Sequence, residues 1–247
     1  MQILFDDVII AVSLLLVAIG LLRNKTSSKA FEALNAGSFI VLFFGSAISA
    51  ISLFSSTKYL FFSFVFGLFV ALFIVCIADP FLTKRTLLYK NKGKMLGLTP
   101  LWMVLLWAIA ITHLGYLSFR FNIFNITGAA IFIAVGFAYF LAFEVLNANV
   151  ALLWERKNCF QFKKGILKGI AAYAIIAEFL TVIIVWVWGF SMTVLISVEM
   201  ATSPTIPVLA TAIVIFMTVF SLPIAYIFGA MCAIFYRKPK ENTIASS

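Results

Sequence analysis

Two acids lie inside apolar stretches of this chain: Glu144, in FAYFLAFEVLNANV, and Glu178, in AAYAIIAEFLTVII. An ionisable side chain within a membrane span is costly, so it faces a protein interior or a water-filled cavity and marks a functional site by default. Burial favours the neutral form of a carboxyl group, and a second carboxylate sharing the site favours it further. A neutral acid donates a proton at neutral pH, and its ionised partner takes one back. Glu178 is the expected acid and Glu144 its partner. Asn147 follows Glu144 by three residues and Thr181 follows Glu178 by three, so each shares a helical face with its acid. These two, with the aromatic faces of Trp107 and Trp186, which can stabilise a passing cation, are the candidate substrate-binding residues. The competing reading makes each acid a neutral hydrogen-bonding bridge between helices.

The elements that must position these residues are membrane helices. The chain is 64% hydrophobic and 11% charged, against about 25% charge in a soluble domain, so bilayer lipid is its expected solvent. The apolar runs predict an all-α, polytopic integral membrane protein: a single domain, residues 1–247, with spans at about 3–22, 33–54, 59–82, 99–118, 127–150, 169–190 and 206–236. Thr99-Pro100 predicts the start of the fourth span, a capping residue followed by proline at the first helical position. Gly45, Ser49 and Ser52 share one face of the second span and predict a close helix contact. His113 and Arg120 are expected near the interface at the outer end of the fourth span. Pro223 is the expected kink of the last run.

Charge sets the orientation. Sixteen of the eighteen Lys and Arg residues fall after spans one, three and five or in the tail, leaving only Lys58 and Arg120 on the other side. The positive-inside rule then predicts seven spans with the N-terminus outside and the C-terminus cytoplasmic, in an integral membrane location of the bacterial inner-membrane type. The basic loops are matched to anionic headgroups rather than to nucleic acid. At 1.5 Å per residue, Glu144 lies roughly 9 Å and Glu178 roughly 14 Å from the inner end of its span. Both acids therefore sit in the inner half of adjacent antiparallel helices, where they could face one another.

Other chemistries find little support. Cys76, Cys159 and Cys232 are scattered and His113 is the sole histidine, which argues against a disulfide framework or a Cys/His metal site. No cofactor is expected. Retinal chemistry needs a lysine in the last span, and Ile206–Tyr236 has none. The matched prolines of three-plus-one-plus-three sugar transporters are also missing from spans one, five and six.

Size, topology, the Leu98-Thr99-Pro100-Leu101-Trp102 start with Trp107 in the fourth span, and the two intramembrane acids resemble the small seven-span membrane terpene cyclases and their relatives. That resemblance implies acid-initiated chemistry on a lipid-soluble isoprenoid, with Glu178 and Glu144 as acid and base. Two other classes stay open: a small proton-linked transporter, and a structural or accessory subunit of a membrane complex. The homo-oligomeric and hetero-oligomeric states are both compatible with the sequence.

Overall fold

A computed structural model describes residues 5–24, 26–51, 58–73, 79, 84, 86–90 and 93–202. The described residues are mostly helical. The helices among them are α1 (Phe5–Arg23), α2 (Ser28–Ile51), α3 (Tyr59–Phe73), α4 (Leu101–Arg120), α5 (Ile126–Val145) and α6 (Ala172–Thr202). Among the described residues, five segments are long and apolar enough to cross a membrane: Phe5–Arg23, Ser28–Ile51, Leu101–Arg120, Ile126–Val150 and Ala172–Val194. They correspond to the first, second, fourth, fifth and sixth expected spans. Helix α3 covers only the first part of the third; the rest of that span, apart from Asp79, and the whole 206–236 run with Pro223 lie outside the described residues.

Helix α4 is the centre of the fold. Its span-length window is 78% buried, against 22% for α1, and it packs on α2, α3 and α6, while α5 lies along α6. Close approach of α3 to α4 requires a glycine: a Cβ on Gly67 would sit 2.4 Å from Thr112 Oγ1 and 2.5 Å from the Ala108 carbonyl oxygen. On α2, Gly45 faces Ile9 of α1, and Ser49 donates to Asp6 Oδ2 at 3.4 Å. Ser52, the third member of that expected seam, is outside the described residues. The outward faces carry Leu14, Leu15 and Leu22 on α1 and Ile40, Phe43, Phe44 and Ile48 on α2. Apolar residues outside and small polar ones at helix contacts are what lipid as a solvent selects.

The expectation of an all-helical chain with plain basic loops needs one amendment. Strand β1 (Leu87–Tyr89) pairs antiparallel with β4 (Trp154–Arg156), setting Leu87 opposite Arg156 and Tyr89 opposite Trp154. Between them in sequence, β2 (Met95–Leu96) pairs with β3 (Thr99–Pro100). Leu87 and Tyr89 are buried while Leu88 is exposed, the period of two that a half-buried strand needs. Three residues are too few for that alternation to stand out among neighbouring lysines. Helix α4 also starts differently from the prediction: Thr99 is committed to β3, Pro100 occupies the cap position with extended backbone, and the first helical residue is Leu101.

Candidate acid pair and its arginine

Glu144 is carried on the last turn of α5. That helix is set at its other end by Asn125, whose side chain accepts from the Gly128 N–H at 2.6 Å, the ordinary role of asparagine at a helix N-terminus. Past Val145 the helix widens into a π turn, Leu146–Val150, closed by the Ala151 N–H to the Leu146 carbonyl at 2.7 Å. Leu152 then takes a left-handed conformation, φ +54°, which is costly for a branched aliphatic residue. This reversal folds β4 back over the end of α5, where its pairing with β1 holds it.

The reversal delivers two donors to one carboxylate oxygen. Arg156 Nη2 lies 3.2 Å and Trp154 Nε1 3.4 Å from Glu144 Oε1. Arg156 Nη1 donates to the Tyr173 hydroxyl at 2.9 Å, and that hydroxyl lies 2.9 Å from Thr86 Oγ1. The Arg156 and Glu144 side chains are 9% and 3% exposed, so this ion pair is not screened by solvent. Burial opposes the charge on Arg156, but the oxygen of Tyr173 and the Glu144 carboxylate outweigh it and move its pKa above the ordinary arginine value.

Glu178, five residues beyond Tyr173 on α6, is also buried, and its carboxyl lies beside that of Glu144. The two acids expected to face one another do so. Glu144 is the one held by a guanidinium. Glu178 Oε2 is buried without a hydrogen-bond partner among the described residues, and buried polar atoms left in that state are uncommon enough to call for an explanation. The acids are thus unlike in their surroundings, Glu144 ion-paired and Glu178 beside it with one buried oxygen to satisfy.

The other expected residues divide. Asn147 lies on the π turn, donating to the Phe143 carbonyl at 2.7 Å, with its own Oδ1 buried and without a partner among the described residues. Thr181 bonds back to the Ala177 carbonyl at 2.8 Å. Trp107 packs on Phe140 and Trp186 on Phe190. The aromatic surface joined to Glu144 is a different one: Trp154 is parallel to Trp102 at 6.4 Å, and Tyr89 meets the Trp102 edge at 5.8 Å. Burial, then the neighbouring Asp79, pushes the Tyr89 phenol pKa well up, and its hydroxyl donates to Asp79 Oδ2 at 2.6 Å. Sequence reasoning missed Arg156, which sits in a basic loop like any topogenic arginine, and Tyr173. The one available signal was that Arg156 follows Trp154 by two residues, as side chains on one strand face do.

His113 is enclosed by neighbouring helices, 2% exposed. Its Nε2 lies 2.9 Å from Ser13 Oγ and its Nδ1 3.1 Å from the Tyr139 hydroxyl, and Ser13 Oγ is 2.7 Å from Ser38 Oγ. Serines on α1 and α2 supply partners that a single-helix reading cannot see. Arg120 does not stand alone at the helix end either: it pairs with Asp7 at 3.0 Å, and Tyr116 donates to the same carboxylate at 2.8 Å.

No curated protein and no solved structure matches the chain. A family model does match, over residues 76–229, a stretch that contains Glu144, Trp154, Arg156, Tyr173 and Glu178. The chain therefore belongs to the family described as domain of unknown function DUF6989.

Proposed function

We propose that this chain is a membrane-embedded acid–base enzyme acting on a lipid-soluble isoprenoid, in the manner of a terpene cyclase. The observation that carries the reading is the buried Glu178 carboxyl beside an arginine-held Glu144, with its Oε2 buried and without a hydrogen-bond partner among the described residues. A carboxylic acid kept neutral in an apolar site is a general acid in waiting. Glu178 would place its proton on an alkene carbon or an epoxide oxygen. The resulting cation would be held against aromatic faces, for which Trp154, Trp102 and Tyr89 are better placed than Trp107 or Trp186. Loss of a proton from the rearranged cation to the acid pair ends the cycle, so that an alkene substrate is isomerised with no net change of atoms.

The topology proposed is seven spans with the N-terminus outside, the acid pair toward the cytoplasmic side and the chain in a bacterial inner membrane, supported by the loop charges. Lysines of the connecting segments, among them Lys90, Lys94 and Lys163, would meet anionic headgroups. The test compares lipids from cells expressing the wild type, Glu144→Gln and Glu178→Gln, by mass spectrometry. A species made only by the wild type is the expected result. An unchanged lipid profile with folded variants would sink the enzyme reading, leaving a proton-linked carrier or an accessory subunit.

A further inference from the structure

We infer that Arg156 is the positioning residue that decides which acid carries the proton: it fixes Glu144 as the carboxylate and thereby leaves the transferable proton on Glu178. The inference rests on the acid–base reading above but concerns a residue outside the pair itself. Its basis is geometric. Arg156 is held at both ends of its fork, by Glu144 at 3.2 Å and Tyr173 at 2.9 Å, and it lies on a strand whose register with β1 sets Arg156 against Leu87.

Charge arithmetic makes the consequence specific. One buried cation beside two adjacent carboxyls favours one carboxylate and one acid, since a second negative charge would have no counter-charge and no negative charge would leave the arginine unpaired. The ionisable groups facing this point are Glu144 from α5, Arg156 from β4, Tyr173 and Glu178 from α6, and, more remotely, Tyr89 and Asp79. Asp79 has its own donor in Tyr89. The site thus holds one proton for as long as it holds one arginine charge.

Infrared spectroscopy of the full-length protein in lipid nanodiscs reads this directly, through the carbonyl band of a protonated carboxyl group. The Asp79→Asn variant serves as background, to remove the third carboxyl. The wild-type pattern is expected to contain one such band, lost in Glu178→Gln. Glu144→Gln should abolish it as well, because Glu178 is then the only carboxyl left to balance Arg156 and gives up its proton. Arg156→Gln should double the band, with both acids protonated, and Arg156→Lys should restore the single band. A merely structural arginine would change none of these intensities. Retention of the Glu178 band in Glu144→Gln overturns the inference, and this arm does not require Arg156→Gln to fold. Failure of the enzyme reading shows separately: the predicted bands with no lipid product leave the arginine's role intact, whereas a lipid product with Arg156-independent bands removes it.

Discussion

Arg156→Met removes the cation of a buried ion pair while keeping a side chain of comparable length. At 3.2 Å and an effective dielectric of about 20, the gross attraction between the two charges is about 5 kcal/mol. Much of this is offset by the desolvation of both groups, so the pair itself adds little net stability. Removing one partner is different, because Glu144 must then take up a proton at neutral pH, against its ordinary titration range, or stay charged without compensation, at a cost of about 3–5 kcal/mol. Arg156→Met should therefore lose about that much in unfolding monitored by circular dichroism in detergent micelles. Adding Glu144→Gln to the same chain removes that cost and should recover most of the loss, leaving about 1–2 kcal/mol for the bonds to Tyr173 and Trp154. Glu144→Gln alone should cost less than Arg156→Met, since Glu178 stands beside the vacated position and can pair with the arginine. A double variant no more stable than Arg156→Met, or an Arg156→Met protein as stable as the wild type, would refute the reasoning.

Three further outcomes test the bundle and the site's surroundings. Gly67→Val should destabilise by about 1–3 kcal/mol through overpacking, because its Cβ would press on Thr112 and the Ala108 carbonyl, whereas Gly37→Val, with nothing within 4 Å, should be neutral in the same thermal melts. His113→Phe leaves Ser13 and Tyr139 short of a partner and should cost about 1–3 kcal/mol for each hydroxyl left unsatisfied, read by chemical unfolding. Burial pushes the Cys159 thiol pKa up, with Arg156 partly opposing it. Its thiolate fraction at neutral pH is thus below that of an ordinary cysteine, and maleimide labelling in a Cys76→Ser/Cys232→Ser background should be slow at pH 7 and rise with pH. An impermeant reagent should reach it only from the cytoplasmic side if the proposed orientation is right.

The membrane helices were legible in the sequence because lipid demands long apolar runs: the described boundaries of α1, α4 and α5 with its π turn fall within a few residues of the expected ones, whereas α2 starts early at Ser28 and α6 runs on to Thr202, past the expected end at 190. The facing of Glu144 and Glu178 was legible for a related reason: equal depth on adjacent antiparallel helices leaves few alternatives. Arg156 was not, since positive-inside topology accounts for any arginine in such a loop and conceals one that folds back inside. The partners of His113 were equally hidden. Ser13 lies a hundred residues away, and a serine in an apolar helix reads as packing until a neighbouring helix brings a ring nitrogen to it. Trp107 and Trp186 fall in spans and pack on Phe140 and Phe190, while Trp154, outside the expected span, reaches the carboxylate.

The central claim is that Glu178 delivers a proton to a lipid-soluble molecule. It is tested most directly by supplying an isoprenoid-rich lipid extract to the full-length protein in nanodiscs made up in deuterium oxide, and following deuterium on carbon or a newly opened hydroxyl by mass spectrometry. The account predicts a product that carries solvent deuterium with the wild type and is absent with Glu178→Gln. Product formation at the wild-type level by folded Glu178→Gln would contradict it.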